Sequence, residues 1–360
     1  MSNVTVDNIY KALSHVEDPD LKKDLVTLNM IKDVEIKDNT VSFTLLLTTP
    51  ACPLKETLKE RCVGAIRERV DENLEVDLTF DSQVMSSRQD NAEMLSGIKN
   101  IIGVASGKGG VGKSTIAVNL AIALSKMNAK TGILDADIHG PSVPSLMGID
   151  EMPGAREEGE KTILEPLHKH GVSVMSMGML VGYNQPLIWR GPMVSSALRQ
   201  MMVDVEWGDL DYLILDLPPG TGDIHLTLAQ QFPLSGTVLV TTPQEVAISD
   251  TRKTVEMFRS DQINTPILGL VENMSWFTPK ELPDNKYYLF GKGGGQKLAE
   301  EYNLPLLGQI PLFLEVGEEA EKGYPAVLDN DQKIRRPFMD TSGRVAQELA
   351  KLSAEAIKAS

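Results

Sequence analysis

The sequence predicts an α/β protein in which a mostly parallel, doubly wound sheet follows a small α/β domain. Three observations carry this expectation. Short apolar runs, at Ile101–Ala105, Thr131–Asp135, Tyr212–Asp216, Thr237–Thr241 and Ile267–Val271, alternate with helical stretches. That is the pattern of a parallel sheet covered on both faces. A glycine-rich turn joins the first of these runs to a helix. The first 81 residues have a different rhythm, and a polar, aperiodic linker over 82–98 separates them from a second domain over 99–360.

Taken in order, Val6, Ile9, Leu13 and Val16 recur at helical spacing. Val41, Phe43, Leu45 and Leu47 alternate as one face of a strand. Leu54, Leu58, Cys62, Ala65 and Ile66 then form the stripe of a helix opened by Pro53, and Leu74–Phe80 alternates again as a strand. Cys52 precedes that helix, where a helix dipole favours the thiolate, so it is a candidate reactive thiol or metal ligand. Cys62 lies on the apolar stripe and reads as core. Met175, Met177 and Met179 alternate as a strand would and also read as core.

Composition narrows the class. Hydrophobic residues are 42% and charged residues 24%, which fits a globular chain and excludes wholesale disorder. Fifty acids against 35 bases leave a net charge of −15, a poor field for binding nucleic acid. Two cysteines cannot build a disulfide framework. The first residues carry no basic or apolar leader pattern, and no apolar run approaches a membrane span. A cytoplasmic protein without stable membrane association is expected.

The sharpest signal is Gly107-Lys108-Gly109-Gly110-Val111-Gly112-Lys113-Ser114-Thr115. It fits G-x-x-x-x-G-K-[ST] between a buried strand and a helix, which makes the fold of the P-loop NTPase type. Glycines let main-chain N–H groups turn in around phosphate oxygens, and the helix N-terminus adds its positive end. Lys113 is placed to reach the β- and γ-phosphates, with the Ser114 hydroxyl on Mg²⁺. Asp135 and Asp137 end one buried strand and Asp216 another, the sheet edge where such folds hold ligands. Asp216 has the position suited to a magnesium water shell, so Ser114, Asp135 and Asp216 are the candidate metal residues, directly or through water. Asp223 reads as a helix cap. Gly291–Gly295 lacks the Gly-Lys-Ser/Thr ending and reads as a turn into a helix at Lys297–Tyr302.

Lys108, directly after the first glycine, resembles the signature lysine of the deviant Walker A group that includes MinD, ParA and the nitrogenase iron protein. Asp135–Ser142, Trp189–Met193, Asp216–Asp223 and Gly269–Ser275 are similar to the corresponding segments of the Mrp/ApbC iron–sulfur carrier ATPases. Glu17–Asp20 and Thr48–Leu54 resemble the small SufT-like domain that accompanies many of them. The resemblance implies ATP as nucleotide and slow, Mg-dependent hydrolysis. It also implies a nucleotide-switched homodimer that passes iron–sulfur clusters from a scaffold to apo-protein clients. It assigns Lys108 and Lys113 to the phosphates, Asp137 to the attacking water, and Asn273 and the loop around Pro311 to adenine.

One departure stands out. Typical members carry C-x-x-C soon after Asn-Met-Ser, and two subunits pool their thiolates. Here that stretch is Trp276–Asp284, without cysteine, although a cluster takes about four ligands. Three outcomes are open: Cys52, or less so Cys62, pooled across a dimer, a partner supplying ligands, or cluster binding lost with the ATPase kept. The alternative reading is a MinD/ParA-like positioning switch without a cluster. The mixed-charge C-terminal helix does not favour it, since docking on its own domain is the simpler fate for that helix. A small-molecule phosphotransferase lacks a visible second pocket.

Overall fold

The computed structural model describes residues 4–82, 84, 95, 97–138, 140–159, 161–181, 191–222, 228 and 232–359. Trp189, Arg190, His139 and Asp223 therefore lie outside the described residues. The chain forms two compact units, Met1–Met85 with Ala346–Ser360, and Ser86–Val345.

In the first unit, helix α1 (Val6–Leu13) opens where the Thr5 hydroxyl accepts from the Asn8 N–H. Such a cap satisfies one of the donors a helix start leaves open. Strands β1 (Ile31–Lys37), β2 (Thr40–Leu47) and β3 (Glu75–Ser82) form one sheet with β2 central. The β1–β2 pair is antiparallel and β2–β3 parallel, and helix α2 (Lys55–Arg69) makes the crossover. The expected alternation holds, with Val41, Phe43, Leu45 and Leu47 buried against Leu58, Cys62 and Ile66 of α2. Strand β1 was not singled out in the sequence.

The second unit is built on an eight-stranded sheet. Its strands are β4 (Ile98–Ala105), β5 (Thr131–Asp135), β6 (Leu167–Lys169), β7 (Val172–Ser176), β8 (Leu210–Asp216), β9 (Gly236–Thr241), β10 (Ile267–Glu272) and β11 (Leu306–Gln309). The order is β6-β7-β5-β8-β4-β9-β10-β11, and only the edge pair β6–β7 is antiparallel. Every residue of β5, β7 and β9 is buried, as a sheet covered on both faces requires. Helices α3 (Lys113–Lys126), α4 (Glu245–Arg259) and α5 (Gly294–Tyr302) follow β4, β9 and β10 in sequence. The parallel order runs outward in both directions from β8 and β4, so the C-terminal ends of these neighbours flank one crevice.

Two sequence expectations change. Only Met175 of the three methionines lies on a strand; Met177 and Met179 belong to the helix Met177–Val181 that follows β7. All three are buried, so the expected core role holds. The C-terminal stretch was expected to dock on the nucleotide domain, yet from Ala346 onward helix α6 (Gln332–Ala359) groups with the first unit. Polar contacts tie it there, beside the buried Ala346 and Leu349. Gln347 donates to both Asp20 carboxylate oxygens at 2.7 and 2.8 Å, and Lys351 lies 3.2 Å from Asp20. Among the described residues no helix is long and apolar enough to cross a membrane.

Candidate functional site

The glycine-rich turn links β4 to α3, and its backbone explains its composition. Gly110 and Gly112 have φ of +80° and +83°, a region side chains other than hydrogen rarely adopt. At Gly107 a Cβ would run into the main chain of Asp250 on α4, and at Gly112 into the Asn273 amide. Gly107→Ala is therefore expected to push α4 off the loop and to cost ATP affinity by about tenfold or more, the equivalent of the 1–3 kcal/mol that local backbone strain stores. Equilibrium dialysis beside a thermal melt measures both effects.

Lys113 starts α3 and is buried, its Nζ 2.5 Å from Asp216 Oδ1, 3.3 Å from Ser114 Oγ and 4.0 Å from Asp137 Oδ2. One cation thus gathers residues from three segments at the sheet's C-terminal edge. Asp216 ends β8 with no exposed surface, and among the described residues its Oδ2 has no hydrogen-bond partner. An orphaned buried carboxylate oxygen costs desolvation energy unless a ligand uses it. Burial raises the Asp216 pKa, opposed by the charge of Lys113.

Asp135 is held differently. Its Oδ1 accepts from the Asp137 N–H at 3.1 Å, and its Oδ2 from the Val143 N–H at 3.1 Å and the Ser176 hydroxyl at 3.0 Å. These donors fix the strand-end turn that presents Asp137, whose Oδ1 accepts from the Gly140 N–H at 3.3 Å. Ser176 and Val143 were not singled out in the sequence: neither carries a motif, and Ser176 pairs with Asp135 across 41 positions. Desolvation, then the neighbouring charge of Asp216, push the Asp135 carboxyl up to about 7.

A carboxyl whose folded pKa is raised contributes its stability fully below its unfolded value near 4 and loses it as pH climbs to about 7. In the nucleotide-free protein this pair is expected to lower the unfolding free energy by on the order of 1–3 kcal/mol between pH 5 and 7.5. His170, whose protonation burial disfavours, runs the other way. Urea unfolding of the wild type against Asp216→Asn isolates the carboxylate share, and a slope unchanged by the substitution would refute it.

The remaining expected residues divide. Lys108 is partly exposed in the loop, its carbonyl accepting from the Ser106 hydroxyl at 2.9 Å. Asn273 does reach the loop: its Nδ2 donates to the Val111 carbonyl at 2.9 Å, and its N–H to the Thr241 carbonyl at 2.8 Å. Pro311 lies just after β11 and lines a recess of about 510 Å³ with Trp276, Phe277 and Phe313. No phosphate-loop residue lines that recess.

Cys52 corrects an expectation. Helix α2 begins only at Lys55, and Cys52 sits in a small recess with Asp18, Asp20, Gln347 and Lys351. Burial outweighs the Leu54 N–H, and the two aspartates add to it, so the thiol is pushed up to about 11 rather than made easier to ionise. Cys62 is fully buried in the core with its thiol at about 12. No group of three or more His, Cys, Asp or Glu able to hold a metal ion occurs among the described residues.

Comparison with known proteins fits this geometry. A family model described as NUBPL iron-transfer P-loop NTPase matches residues 97–347. A second, described as iron-sulfur cluster assembly protein, matches residues 6–78. The iron-sulfur cluster carrier protein of Synechocystis is 48% identical over 334 residues, covering 91% of this chain and 93% of that protein. The protein of the same description from Escherichia coli is 41% identical over 339 residues, covering 94% and 90%. A nucleotide-binding protein of Archaeoglobus fulgidus, solved in complex with ADP, is similar at 38% identity and a TM-score of 0.56, over 64% of this chain and 89% of its own.

Proposed function

The chain belongs to the NUBPL iron-transfer P-loop NTPase family, and from that premise we propose that it is an ATP-hydrolysing carrier that receives iron–sulfur clusters and delivers them to apo-proteins. The supporting observation is that likeness to cluster carriers spans both compact units at once. Within the nucleotide unit, Lys113, Ser114 and the loop from Gly107 to Thr115 are suited to a triphosphate. The orphaned Asp216 oxygen and the Ser114 hydroxyl suit Mg²⁺, with Asp135 behind them. When bound, magnesium would neutralise charge on the β- and γ-phosphates. Lys113 neutralises phosphate charge from within the loop, and Asp137 orients the attacking water. Asn273 spends its Nδ2 on Val111, which leaves its oxygen end for an adenine amino group. Two copies close on ATP, with Lys108 reaching the other copy's nucleotide, and part after slow hydrolysis. The working place is the cytoplasm.

The cluster is cargo. With no cysteine in residues 99–360 and Cys62 sealed in the core, thiolate ligands come from Cys52 of paired copies or from the scaffold and client. Anaerobic reconstitution with iron and sulfide, followed by transfer to an apo-ferredoxin with and without ATP, tests the proposal. Cluster absorption and transfer faster than from free iron and sulfide are expected. Neither uptake nor acceleration would end the carrier reading, and ATP-dependent sedimentation with liposomes or DNA would replace it with a positioning switch.

A further inference from the structure

Glu272 ends β10 with no exposed surface, and the chemistry above leaves it unused. Its Oε2 accepts from the Gly295 N–H in the first turn of α5 at 2.6 Å, and its Oε1 from Gln309 Nε2 at the end of β11 at 2.9 Å. At Gly295 a Cβ would crowd the Glu272 side chain, so the helix start has room for this carboxylate and little else. The main chain repeats the link. Ile310 donates to the Glu272 carbonyl at 2.9 Å, Ser275 to the Ile310 carbonyl at 2.9 Å, and the Ser275 hydroxyl to the Glu272 carbonyl at 2.8 Å.

Two things meet at this knot. The next residue, Asn273, holds the Val111 carbonyl of the phosphate loop. The chain between Glu272 and Gly295 contains the segment 276–293, so the carboxylate closes that segment at its base. The segment is tied by reciprocal bonds between Phe277 and Tyr287 at 2.8 Å and by the Leu312 N–H to the Trp276 carbonyl at 2.7 Å. It displays Leu282, Tyr287, Tyr288 and Leu289 as exposed apolar side chains. A buried charge with both oxygens satisfied is a rigid joint, since any displacement strands a charged group away from its donors.

We propose that Glu272 is a positioning residue that couples the nucleotide site to segment 276–293. Nucleotide on the phosphate loop shifts Val111 and with it Asn273; the clamped carboxylate carries the shift to α5, the end of β11 and the segment's base. This deepens the ATP-switched reading, on which it rests, by naming the part of the surface that senses ATP.

Hydrogen–deuterium exchange of the full chain, with magnesium and a non-hydrolysable ATP analogue, tests the coupling. In the wild type the analogue is expected to slow exchange of peptides over both 107–116 and 276–290, the second by about threefold. Gln309→Leu removes one leg of the clamp, and the Glu272→Gln/Gln309→Leu pair also removes the charge. The double variant is included because Gln309 can turn its amide to meet a glutamine at 272. In both, protection of 107–116 is expected to persist while the analogue's effect on 276–290 disappears. A purely structural role for Glu272 would speed exchange equally with and without the analogue, leaving the difference intact, and that result overturns the proposal. If either variant fails to fold, the other decides. A protected loop with an unresponsive 276–290 in the wild type also overturns it. No protection of 107–116 in the wild type would instead strike at ATP binding itself, and the coupling would fall with it.

Discussion

Lys113→Ala is expected to weaken ATP binding by about a hundredfold or more and to bring turnover below detection. Lys113 is the buried cation of the loop, and removing one partner from a desolvated charged contact typically costs about 2–5 kcal/mol, with 1.4 kcal/mol per tenfold. The geometry adds a second, opposite-looking effect. In the nucleotide-free protein the same Nζ lies 2.5 Å from Asp216, so the alanine variant leaves a carboxylate buried with its cation gone. Breaking such a pair from one side costs several kcal/mol, limited here because burial already raises the Asp216 pKa and protonation can discharge it. The variant is therefore expected to melt lower than the wild type, most clearly at alkaline pH where holding that proton is hardest. Adding Asp216→Asn to Lys113→Ala should recover part of the stability and none of the ATP affinity. Isothermal titration and thermal melts of the two single variants and the double close the cycle. ATP affinity within threefold of wild type in Lys113→Ala would remove Lys113 from the phosphates.

What the sequence made legible was local. The phosphate loop was readable because its glycines, Lys113 and Ser114 lie within nine consecutive residues, and the turn's backbone needs them there. The five buried strands were readable because a strand covered on both faces must be apolar throughout. Asp137 and Asp216 followed from strand ends. What stayed hidden depended on residues far apart in the chain. Ser176 holds Asp135 across 41 positions, and Glu272 meets Gln309 across 37. Nothing local marks either pair. Cys52 failed for the same reason: the helix start is a neighbour in sequence, whereas the burial and the aspartates that govern its thiol arrive through folding. The last helix was read as docking on its own domain because its partner, Asp20, lies more than 300 residues away.

Asp137→Ala is expected to leave ATP bound while slowing its cleavage by about 10²–10⁴-fold, the usual worth of a positioned acid–base group. The separation from Lys113 rests on where each group lies. Lys113 is fixed by Asp216, whereas Asp137 stands 4.0 Å from that cation and is held mainly by the turn, through Gly140 and the Asp135 clasp on its own N–H. Deleting the side chain leaves the loop and the Lys113–Asp216 contact in place, and it removes a negative charge from a site meant for an anion. Affinity should therefore hold or rise slightly. Asp137→Asn distinguishes two ways of acting on water. The amide oxygen still accepts from Gly140, so orientation of the turn survives, but the negative charge and the proton acceptor are lost. If the carboxylate takes the proton or stabilises the emerging charge, asparagine is as slow as alanine; if it only orients, asparagine keeps most of the rate. Single-turnover cleavage of pre-bound ATP separates chemistry from binding and product release. If two copies close on ATP as proposed, the alanine variant should also accumulate as the closed pair of subunits, visible by light scattering with ATP and magnesium. Wild-type cleavage in that variant would mean that the water is positioned from elsewhere, with Lys108 of the opposing copy the next residue to replace.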